Sequence, residues 1–577
     1  MNYENPLIVQ GDRTLLLDVH APLADECRND LIPFAELERS PEHLHTYRLS
    51  PLSLWNAASA GFTADDAVAV LEKYARYDVP ASIPVWIREV SGRFGALRIV
   101  PAAVEYETPV LYLVSKSPFA FREISHLKSF KELLVPLQPG DLQVPDGVEL
   151  SDDEKKYAFM FQLTNRGTIK QKLLDISWPV KDEVQLADGE PLEIKLREIC
   201  ASGVPFNVRD YQVNAAKALV GDKRAGTGFG TIVLPCGAGK TIVGMEIMSL
   251  LQTSTLIVTT NISAVHQWMN ELLDKTELTQ DQIGEYSGEN KVIKPVTVAT
   301  YQVLTWRPDE QSPYPHFSIF HERPWGLIIY DEVHMLPAPV FRVVAELQAV
   351  RRVGLTATLV REDGCQGHVF SLVGPKRYDV PWKELERTGW IASAECIEVR
   401  LDLPYAQELD YAVSTAREKH KIASNNPVKI DICKKIIEGN PEDKILVIGQ
   451  YIEQLETIAR ETGTPIITGK TPTAERDRIY KDFRDGKIRV LVVSKVANFA
   501  IDLPDASLAI QVSGTFGSRQ EEAQRLGRIL RPKERKSRFF TLITRNTVEE
   551  EFGSNRQKFL AEQGYSYRII RELEELL

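Results

Sequence analysis

A short glycine-rich segment, Gly237-Ala-Gly-Lys-Thr241, has the residue types and spacing of a phosphate-binding loop. It follows an apolar run at 231–234 and precedes a helix-like run at 242–248. Glycines allow backbone N–H groups to surround phosphate oxygens at the positive end of the following helix. We expect Lys240 to reach the β- and γ-phosphates of a nucleotide and the Thr241 hydroxyl to bind Mg²⁺. The alternative is a helix-opening turn, because the strict motif has a further glycine where this chain has leucine.

Two adjacent carboxylates, Asp331 and Glu332, follow Lys240 by 91 residues (331 − 240 = 91). Four apolar residues, 327–330, precede them and predict a buried strand of a parallel sheet, whose carboxyl end lines the crevice where ligands bind. We expect Asp331 to hold the metal and Glu332 to polarise a water for attack on the γ-phosphorus. We expect His334 to couple this pair to a later motif. A solvated turn and a core histidine are the alternatives.

Arginine is concentrated near residue 528, where Gln524, Arg528 and Arg531 can share one face of a predicted helix. Arginine stays charged and binds two phosphate oxygens at once, so this face could meet a phosphoryl group. Taken alone, the segment is equally typical of a solvated charged helix. It lies far beyond the phosphate loop, in a second lobe, so its arginines would reach the nucleotide only when two lobes close.

Composition excludes several classes of protein. The chain has 577 residues, 43% hydrophobic and 26% charged, which is typical of a soluble globular protein with several domains. Its six cysteines show no paired spacing for zinc or redox chemistry, which predicts free thiols in a reducing compartment. No apolar run is long enough to span a membrane and the start has no signal region, so we expect a cytoplasmic location.

The net charge of −11 argues against indiscriminate nucleic-acid binding, but the acidity is unevenly distributed. Residues 1–200 contain 21 basic and 31 acidic residues, a balance of −10, so the remainder is nearly neutral. That remainder can therefore still carry a local basic channel.

Short apolar strands alternate with helical segments twice, which predicts an α/β fold of two tandem doubly wound parallel-sheet lobes. The strand candidates are 231–234, 255–259, 296–300, 327–330 and 352–356 in the first lobe, and 444–448, 465–467, 490–493 and 508–512 in the second. An α+β N-terminal region precedes them, with helical periodicity up to about residue 90 and strand-like pieces from there to about 200.

These motifs, in this order, resemble those of superfamily two helicases, whose lobes are RecA-like. Further motifs in the family's order are Arg209-Asp-Tyr-Gln212, Leu355-Thr-Ala-Thr358 and Ser494-Lys-Val-Ala-Asn-Phe-Ala-Ile-Asp502. The phrases Gly354-Leu-Thr-Ala-Thr-Leu-Val-Arg-Glu-Asp363 and Glu522-Ala-Gln-Arg-Leu-Gly-Arg-Ile-Leu-Arg531 narrow the resemblance to the XPB-type DNA helicases. The overall size and the N-terminal region resemble the bacterial branch of that family. Phe499-Ala500 differs from many relatives outside this branch, which have glycine there.

The resemblance implies an ATP- and Mg²⁺-dependent DNA helicase that moves 3′ to 5′ and separates duplex, in repair or transcription-linked work. The implied catalytic residues are Lys240, Asp331, Glu332, Gln524, Arg528 and Arg531, with Thr241 and Asp331 on the metal. The implied nucleotide-binding residues are Arg209, Gln212, Pro235, Cys236, Gly237, Ala238, Gly239, Lys240, Thr241 and Asp502. The implied partners are DNA at a single-strand/duplex junction and a nuclease or repair protein, with no membrane and a monomeric state.

The residues that contact DNA are less clearly indicated by the sequence than those that bind the nucleotide. Asn261, Thr300 and Thr468 follow strands, where helicases of this superfamily commonly touch the phosphate backbone, and a structural turn is an equally good explanation. The trio Arg361, Glu362 and Asp363, directly after Leu355–Thr358, is specific to XPB-type helicases, and a surface ion pair is the alternative for its arginine.

The implied organisation has five parts: an N-terminal accessory domain (1–95), a damage-recognition-like α+β module (96–200), lobe one (201–380), a thumb-like insert (381–425) and lobe two (426–577). Three other functions stay open on sequence alone: a duplex translocase without strand separation, an ATP-switched nucleic-acid-binding protein, and an RNA motor. The full hydrolytic set argues against the switch, because a switch has no need to retain it.

Overall fold

The computed structural model describes the chain outside residues 1–3, 32, 40–43, 104–108, 224–226, 236, 337–339, 341–349, 358–365, 381, 391–393, 495–505, 515–536, 563–566 and 572–577. The chain divides into two compact units. The first comprises Met1–Glu36, Tyr47–Val233 and Gly239–Asp379, and the second comprises Leu37–Thr46, Leu234–Ala238 and Val380–Leu577. Within the described ranges, no helix is long and apolar enough to cross a membrane.

The first ninety residues combine short strands with helices. The strands are β1 (Leu7–Val9), β2 (Thr14–Asp18), β3 (Glu36–Arg39) and β4 (Leu44–Arg48), and the helices are α1 (Ala24–Leu31), α2 (Pro51–Ser59), α3 (Ala64–Tyr74) and α4 (Ser82–Arg93). β1 and β2 pair antiparallel. A capping box starts α3, because the Thr63 and Asp66 side chains each accept a hydrogen bond from the other residue's N–H.

A mixed five-stranded sheet follows. Its strands are β5 (Leu97–Pro101), β6 (Val110–Ser115), β7 (Val135–Pro136), β8 (Ala158–Gln162) and β9 (Val180–Asp182), in the order β7-β8-β6-β5-β9, and its helices are α5 (Pro118–His126), α6 (Asp152–Lys156) and α7 (Arg166–Asp175). Only β5 and β9 pair parallel among these described strands. Apolar residues of β5, β6, β8, α5 and α7 form one buried core.

The first unit also contains a parallel sheet of seven strands. The strands are β10 (Phe229–Val233), β11 (Thr255–Thr259), β12 (Ile283–Tyr286), β13 (Val296–Thr300), β14 (Leu327–Asp331), β15 (Arg351–Thr356) and β16 (Lys376–Asp379), and the helices are α8 (Asp210–Val220), α9 (Lys240–Leu251), α10 (Ile262–Lys275) and α11 (Tyr301–Leu304). The order is β12-β13-β11-β14-β15-β10-β16. β15 therefore lies between β10 and β14, and the chain segments that follow these three strands meet at one edge of the sheet.

Every residue of β10, β11 and β13 is buried, which is typical of a parallel sheet covered on both faces. After β15, a short helix (Gln366–His368) leads into a π-helical turn (Val369–Val373) and then into β16.

A buried cluster of charges connects the mixed sheet to this parallel sheet. The Asp182 carboxylate accepts hydrogen bonds from Arg166 at 2.6 and 2.9 Å and from Lys170 at 3.1 Å. The ring of Phe229 is faced by three cations, with Lys170 Nζ at 5.3 Å, Arg352 Cζ at 5.0 Å and Arg377 Cζ at 5.3 Å from its centroid. These side chains therefore link the mixed sheet to the parallel sheet.

The second unit contains another seven-stranded parallel sheet, in the order β19-β20-β18-β21-β22-β17-β23. Its strands are β17 (Ala394–Leu401), β18 (Ile445–Gly449), β19 (Ile466–Ile467), β20 (Val490–Ser494), β21 (Leu508–Gln511), β22 (Ser537–Thr544) and β23 (Tyr567–Ile570). Its helices are Trp382–Arg387, Tyr405–Val413, Ala416–Ser424, Val428–Glu438, Ile452–Thr462, Thr473–Arg484 and Val548–Glu562.

A buried ion pair stabilises this second unit. Lys429 Nζ lies 2.7 and 2.8 Å from the two carboxylate oxygens of Glu549, and both side chains are almost fully buried. Thr544 N–H donates to the same carboxylate at 3.0 Å, so the pair joins two helices to β22.

The predicted fold class is confirmed: two parallel-sheet lobes follow an α+β N-terminal region. Four cysteines within the described residues, Cys27, Cys200, Cys396 and Cys433, are buried free thiols, as predicted.

Candidate nucleotide-binding site

The glycine-rich loop adopts a backbone that its glycines make possible. Gly237 and Gly239 have φ values of +81° and +78°, in the left-handed region that favours glycine. α9 begins at Lys240, directly after Gly239, so the lysine and Thr241 occupy its first turn. The first-turn N–H groups of a helix have no partner within the helix and point toward its N-terminal end, where they can bind phosphate oxygens.

The predicted adenine motif lies against this loop. Gln212, in the first turn of α8, is buried, and its Oε1 accepts a hydrogen bond from the Arg209 N–H at 2.9 Å. A Cβ added to Gly239 would lie 2.5 Å from Gln212 Nε2, so the glycine permits this close approach. Arg209 also donates to the Tyr211 hydroxyl at 3.1 Å. The structure therefore brings Gln212 to the glycine-rich loop, and Arg209 contacts Gln212.

Asp331 ends β14, and neighbouring elements hold its carboxylate firmly. Trp268 Nε1 of α10 donates to Asp331 Oδ2 at 2.9 Å, and the Thr259 hydroxyl at the end of β11 donates to the same oxygen at 3.3 Å. The Glu332 N–H donates to Asp331 Oδ1 at 3.0 Å, and the Tyr301 hydroxyl donates to the Asp331 carbonyl at 3.0 Å. These hydrogen bonds fix the orientation of both Asp331 and the following turn.

Glu332 has a left-handed backbone, with φ of +48°, which is uncommon for a residue with a side chain. Its Oε1 lies 3.0 Å from Lys240 Nζ, and its Oε2 lies 3.4 Å from His334 Nδ1. Oε2 is buried and accepts no hydrogen bond from the described part of the chain. The turn thus points the glutamate toward the lysine of the phosphate loop, with one oxygen still able to accept a proton.

His334 is buried and connects the acidic turn, which is the turn formed by Asp331 and Glu332, to β15. Its Nδ1 lies 2.7 Å from the Thr356 hydroxyl, at the carboxyl end of β15, and 3.4 Å from Glu332. This contact joins the acidic pair to the segment Leu355–Thr358, of which Thr358 lies outside the described residues.

The two adjacent acids have opposite pKa shifts. Burial, followed by the neighbouring Glu332 carboxylate, raises the pKa of Asp331 above its ordinary value. Burial alone would also raise the pKa of Glu332, but the Lys240 ammonium and then His334 outweigh it and hold that pKa below the ordinary range. A further cation beside Asp331 would stabilise its charged form.

The donor set fits Mg²⁺. This ion prefers oxygen ligands and is usually held by one or two carboxylates, a hydroxyl and the phosphates of the substrate. Asp331 offers a half-buried carboxylate flanked by that of Glu332, and Thr241 offers a hydroxyl in the first turn of α9. The chemistry of Asp331 and Thr241 is therefore consistent with their predicted role as Mg²⁺ ligands.

The remaining predicted nucleotide-site residues divide into two groups. Pro235, Gly237 and Ala238 lie in the loop, where the Ala238 N–H donates to the Pro235 carbonyl at 3.1 Å. The predicted residues Cys236, Asp502, Gln524, Arg528 and Arg531 lie outside the described residues.

Among the predicted DNA contacts, Asn261 and Thr300 cap helices. Asn261 Oδ1 accepts from the Ala264 N–H at 2.9 Å, and the buried Thr300 hydroxyl accepts from the Val303 N–H at 3.1 Å. In the second unit, the Thr468 hydroxyl accepts from the Lys470 N–H at 3.2 Å. All three thus have a structural role, which does not prevent contact with a ligand. Arg361, Glu362 and Asp363 lie outside the described residues.

Sequence reasoning missed two side chains that hold Asp331, namely Trp268 and Thr259. Trp268 lies in the apolar stripe of α10, where a tryptophan looks like an ordinary core residue. It also packs closely on α9, because a Cβ at Gly244 would lie 2.6 Å from Trp268 Cη2. No local sequence signal identifies such a residue, because its partner is 63 positions away.

The chain contains two seven-stranded parallel sheets. A glycine-rich loop and an acidic pair lie at the carboxyl edge of the first. This combination defines a tandem-lobe P-loop ATPase. Three family descriptions match parts of the chain: Type III restriction enzyme, res subunit, over residues 205–361, ERCC3/RAD25/XPB C-terminal helicase over 385–576, and Helicase conserved C-terminal domain over 7–137. The chain belongs to the XPB helicase family, as its similarity to whole relatives establishes.

Two bacterial relatives match almost end to end. The DNA 3'-5' helicase XPB of Kineococcus radiotolerans is 48% identical over 98% of this chain and 96% of its own length. The DNA 3'-5' helicase XPB of Mycobacterium tuberculosis is 47% identical over 100% of this chain and 99% of its own length. The general transcription and DNA repair factor IIH helicase/translocase subunit XPB of Antonospora locustae is 32% identical over 99% and 82%. The family predicted from the sequence is confirmed.

Proposed function

We propose that this chain is an ATP-dependent DNA helicase that moves 3′ to 5′ and separates duplex DNA. The membership of the XPB helicase family supports the enzyme class, and the names of the bacterial relatives support the substrate and the direction. The observation that carries the hydrolytic part is the geometry of Glu332. One of its oxygens is paired with Lys240 at 3.0 Å, and the other is buried and able to accept a proton.

In this proposal, Lys240 and the backbone N–H groups of the loop bind the ATP phosphates, while Arg209 and Gln212 face the adenine. Glu332 polarises the attacking water. Its lowered pKa keeps it ionised at neutral pH, so it is ready to accept a hydrogen bond from that water. The backbone turn at Glu332 fixes the direction of the carboxylate, which favours a single arrangement for attack.

Asp331 and Thr241 would hold Mg²⁺, which supplies charge stabilisation to the phosphates when bound. Trp268 and Thr259 keep the Asp331 carboxylate in place. Such hydrogen bonds to a metal-binding carboxylate tune its orientation and affinity.

His334 would transmit the state of the acidic pair to β15, because its side chain contacts both Glu332 and Thr356. In lobe two, Gln524, Arg528 and Arg531 remain the predicted residues that complete the site when the lobes close, and Asp502 remains a predicted nucleotide contact. Hydrolysis would then depend on lobe position, which is what couples ATP to movement.

The domain roles are also proposals. Residues 1–95 would form the accessory domain, 96–200 the damage-recognition-like module and 381–425 the thumb-like insert. A single-strand/duplex junction is the proposed DNA structure, and a nuclease or repair protein the proposed partner. A monomeric state and a cytoplasmic location remain predictions.

The test compares ATP hydrolysis with single-stranded DNA, duplex DNA, RNA and no nucleic acid, together with strand displacement on a forked DNA substrate. We expect single-stranded DNA to stimulate ATP hydrolysis. We also expect the protein to unwind the fork by moving 3′ to 5′ along the strand that has the single-stranded 3′ end. DNA-stimulated hydrolysis without strand release would favour a duplex translocase instead. Stimulation by RNA alone would contradict the DNA assignment.

Glu332→Gln tests the chemical role directly. The amide has nearly the same shape but cannot take a proton, so we expect hydrolysis to fall by at least about 100-fold, the lower end of a general base contribution, while ATP binding persists. Single-turnover hydrolysis and binding of a fluorescent ATP analogue measure the two effects separately. Unchanged turnover in this variant would refute the general-base role.

A further inference from the structure

A cavity of about 540 Å³ opens on lobe one beside the predicted DNA contacts. Its lining includes Ile262, the first residue of α10, and Thr300, the last residue of β13. Ile262 follows β11 and Thr300 ends the neighbouring parallel strand β13, so the cavity lies at the carboxyl edge of the sheet. Asn261 and Thr300, predicted from sequence to meet the DNA backbone, mark the same edge.

The cavity has an aromatic wall. Trp306 lines it with 54% of its surface exposed, which is unusual for so large an apolar side chain. His316 lies beside the indole, with ring centroids 5.8 Å apart and an interplanar angle of 50°. His316 is itself held by the buried Tyr286, whose hydroxyl lies 2.8 Å from His316 Nδ1. The wall is therefore anchored to the core of the lobe rather than loosely placed.

The charge at the cavity suits a nucleic acid. Lys291 lines it and is exposed, and burial together with Lys291 lowers the pKa of His316, so that ring is neutral at pH 7. No carboxylate lines the cavity among the described residues. A ligand that carries an anionic group beside a flat apolar ring could therefore contact both the cation Lys291 and the aromatic face of Trp306.

We propose that this cavity binds one unstacked base of the single-stranded DNA, with the base on Trp306 and the adjoining phosphate at Lys291. The volume is in the range of small-ligand sites, so one nucleotide fits. Stacking on an aromatic ring accepts every base, because every base has a π-face, and this suits a motor that travels through any sequence. The inference rests on the proposed function, because it specifies how the DNA strand is held.

The experiment measures binding of two single-stranded probes of equal length, an oligothymidylate and an oligomer of abasic deoxyribose phosphates. Trp306→Ala should weaken binding of the oligothymidylate by about tenfold and leave the abasic oligomer unchanged. Trp306→Phe should restore most of the loss, because phenylalanine keeps an aromatic face. Unchanged binding of the abasic oligomer also shows that the variant is folded.

Lys291→Ala should weaken both probes by a similar factor and reduce the salt dependence of binding by about one counterion. Lys294→Ala is its matched control, because Lys294 is also cationic and three positions away but does not line the cavity. Tyr77→Ala is the matched control for Trp306, because Tyr77 is another exposed aromatic residue outside the cavity. Both controls should bind both probes as the wild type does.

The outcomes separate this inference from the proposed function. If the wild type binds neither probe and DNA fails to stimulate its ATP hydrolysis, the proposed function is wrong. If the wild type binds DNA and Trp306→Ala binds the oligothymidylate equally well, or loses both probes equally, the base-stacking site is overturned while the helicase stands.

Discussion

The hydrogen bond from Trp268 to Asp331 makes a quantitative prediction about the Mg²⁺ requirement. Trp268→Phe removes the Nε1 donor, which lies 2.9 Å from Asp331 Oδ2, and keeps most of the aromatic volume. A hydrogen bond to a charged group contributes about 1.5–3 kcal/mol. Partners that orient metal-binding side chains typically change metal affinity or activity by about 10- to 100-fold. We therefore expect the Mg²⁺ concentration for half-maximal ATP hydrolysis to rise at least about tenfold.

The assay is a Mg²⁺ titration of DNA-stimulated ATP hydrolysis, with thermal unfolding recorded on the same samples. Trp325→Phe is the matched control, because Trp325 is also buried and its Nε1 donates to the Ile319 carbonyl at 2.8 Å, outside the acidic turn. Both variants should lose similar stability, but only Trp268→Phe should shift the Mg²⁺ titration. Equal titrations for both variants would refute the view that Trp268 orients a metal ligand.

Three further predictions concern buried charges. Lys429→Met leaves the Glu549 carboxylate buried beside a neutral side chain and should lower the free energy of unfolding by about 3–5 kcal/mol in denaturant titrations, whereas Lys434→Met, at an exposed ion pair, should leave it nearly unchanged. Asp182→Asn should likewise destabilise by about 3–5 kcal/mol, because buried cations would lose their carboxylate. Lys170→Met should cost less, because burial lowers the pKa of Lys170 from 10.5 to about 7. The unfolded chain then binds more protons between these values, so wild-type stability should rise with pH from about 7 to 10, and the methionine variant should lack this rise.

The sequence predicts the elements whose signals are local. β10, β11, β13 and β14 are short apolar runs, and the glycine-rich loop and acidic pair follow two of them directly. In a parallel sheet, the carboxyl ends of the strands lie at one edge, so these local signals are enough to bring the lysine and the two acids of the nucleotide site together.

Other features depend on contacts that no local pattern records. β16 has the sequence Lys-Arg-Tyr-Asp and is only half-buried, because it lies at the edge of its sheet. β17 lies within the segment predicted as an insert, yet it pairs over its full length with β22, more than a hundred residues later. The left-handed backbone of Glu332 and the hydrogen bond from Trp268 arise from packing around the acidic turn, so sequence spacing gives no sign of them.

The ring of Phe229 limits how freely the parts of this motor can be exchanged. Its three facing cations come from α7 of the mixed sheet and from β15 and β16 of the motor lobe, and Asp182 at the end of β9 supplies the negative charge beside them. A fragment that begins near residue 201 would keep two of these arginines but lack Lys170 and Asp182. A module grafted onto this lobe would therefore have to replace the negative charge that Asp182 places near the buried Arg352, so this junction limits which modules can be exchanged.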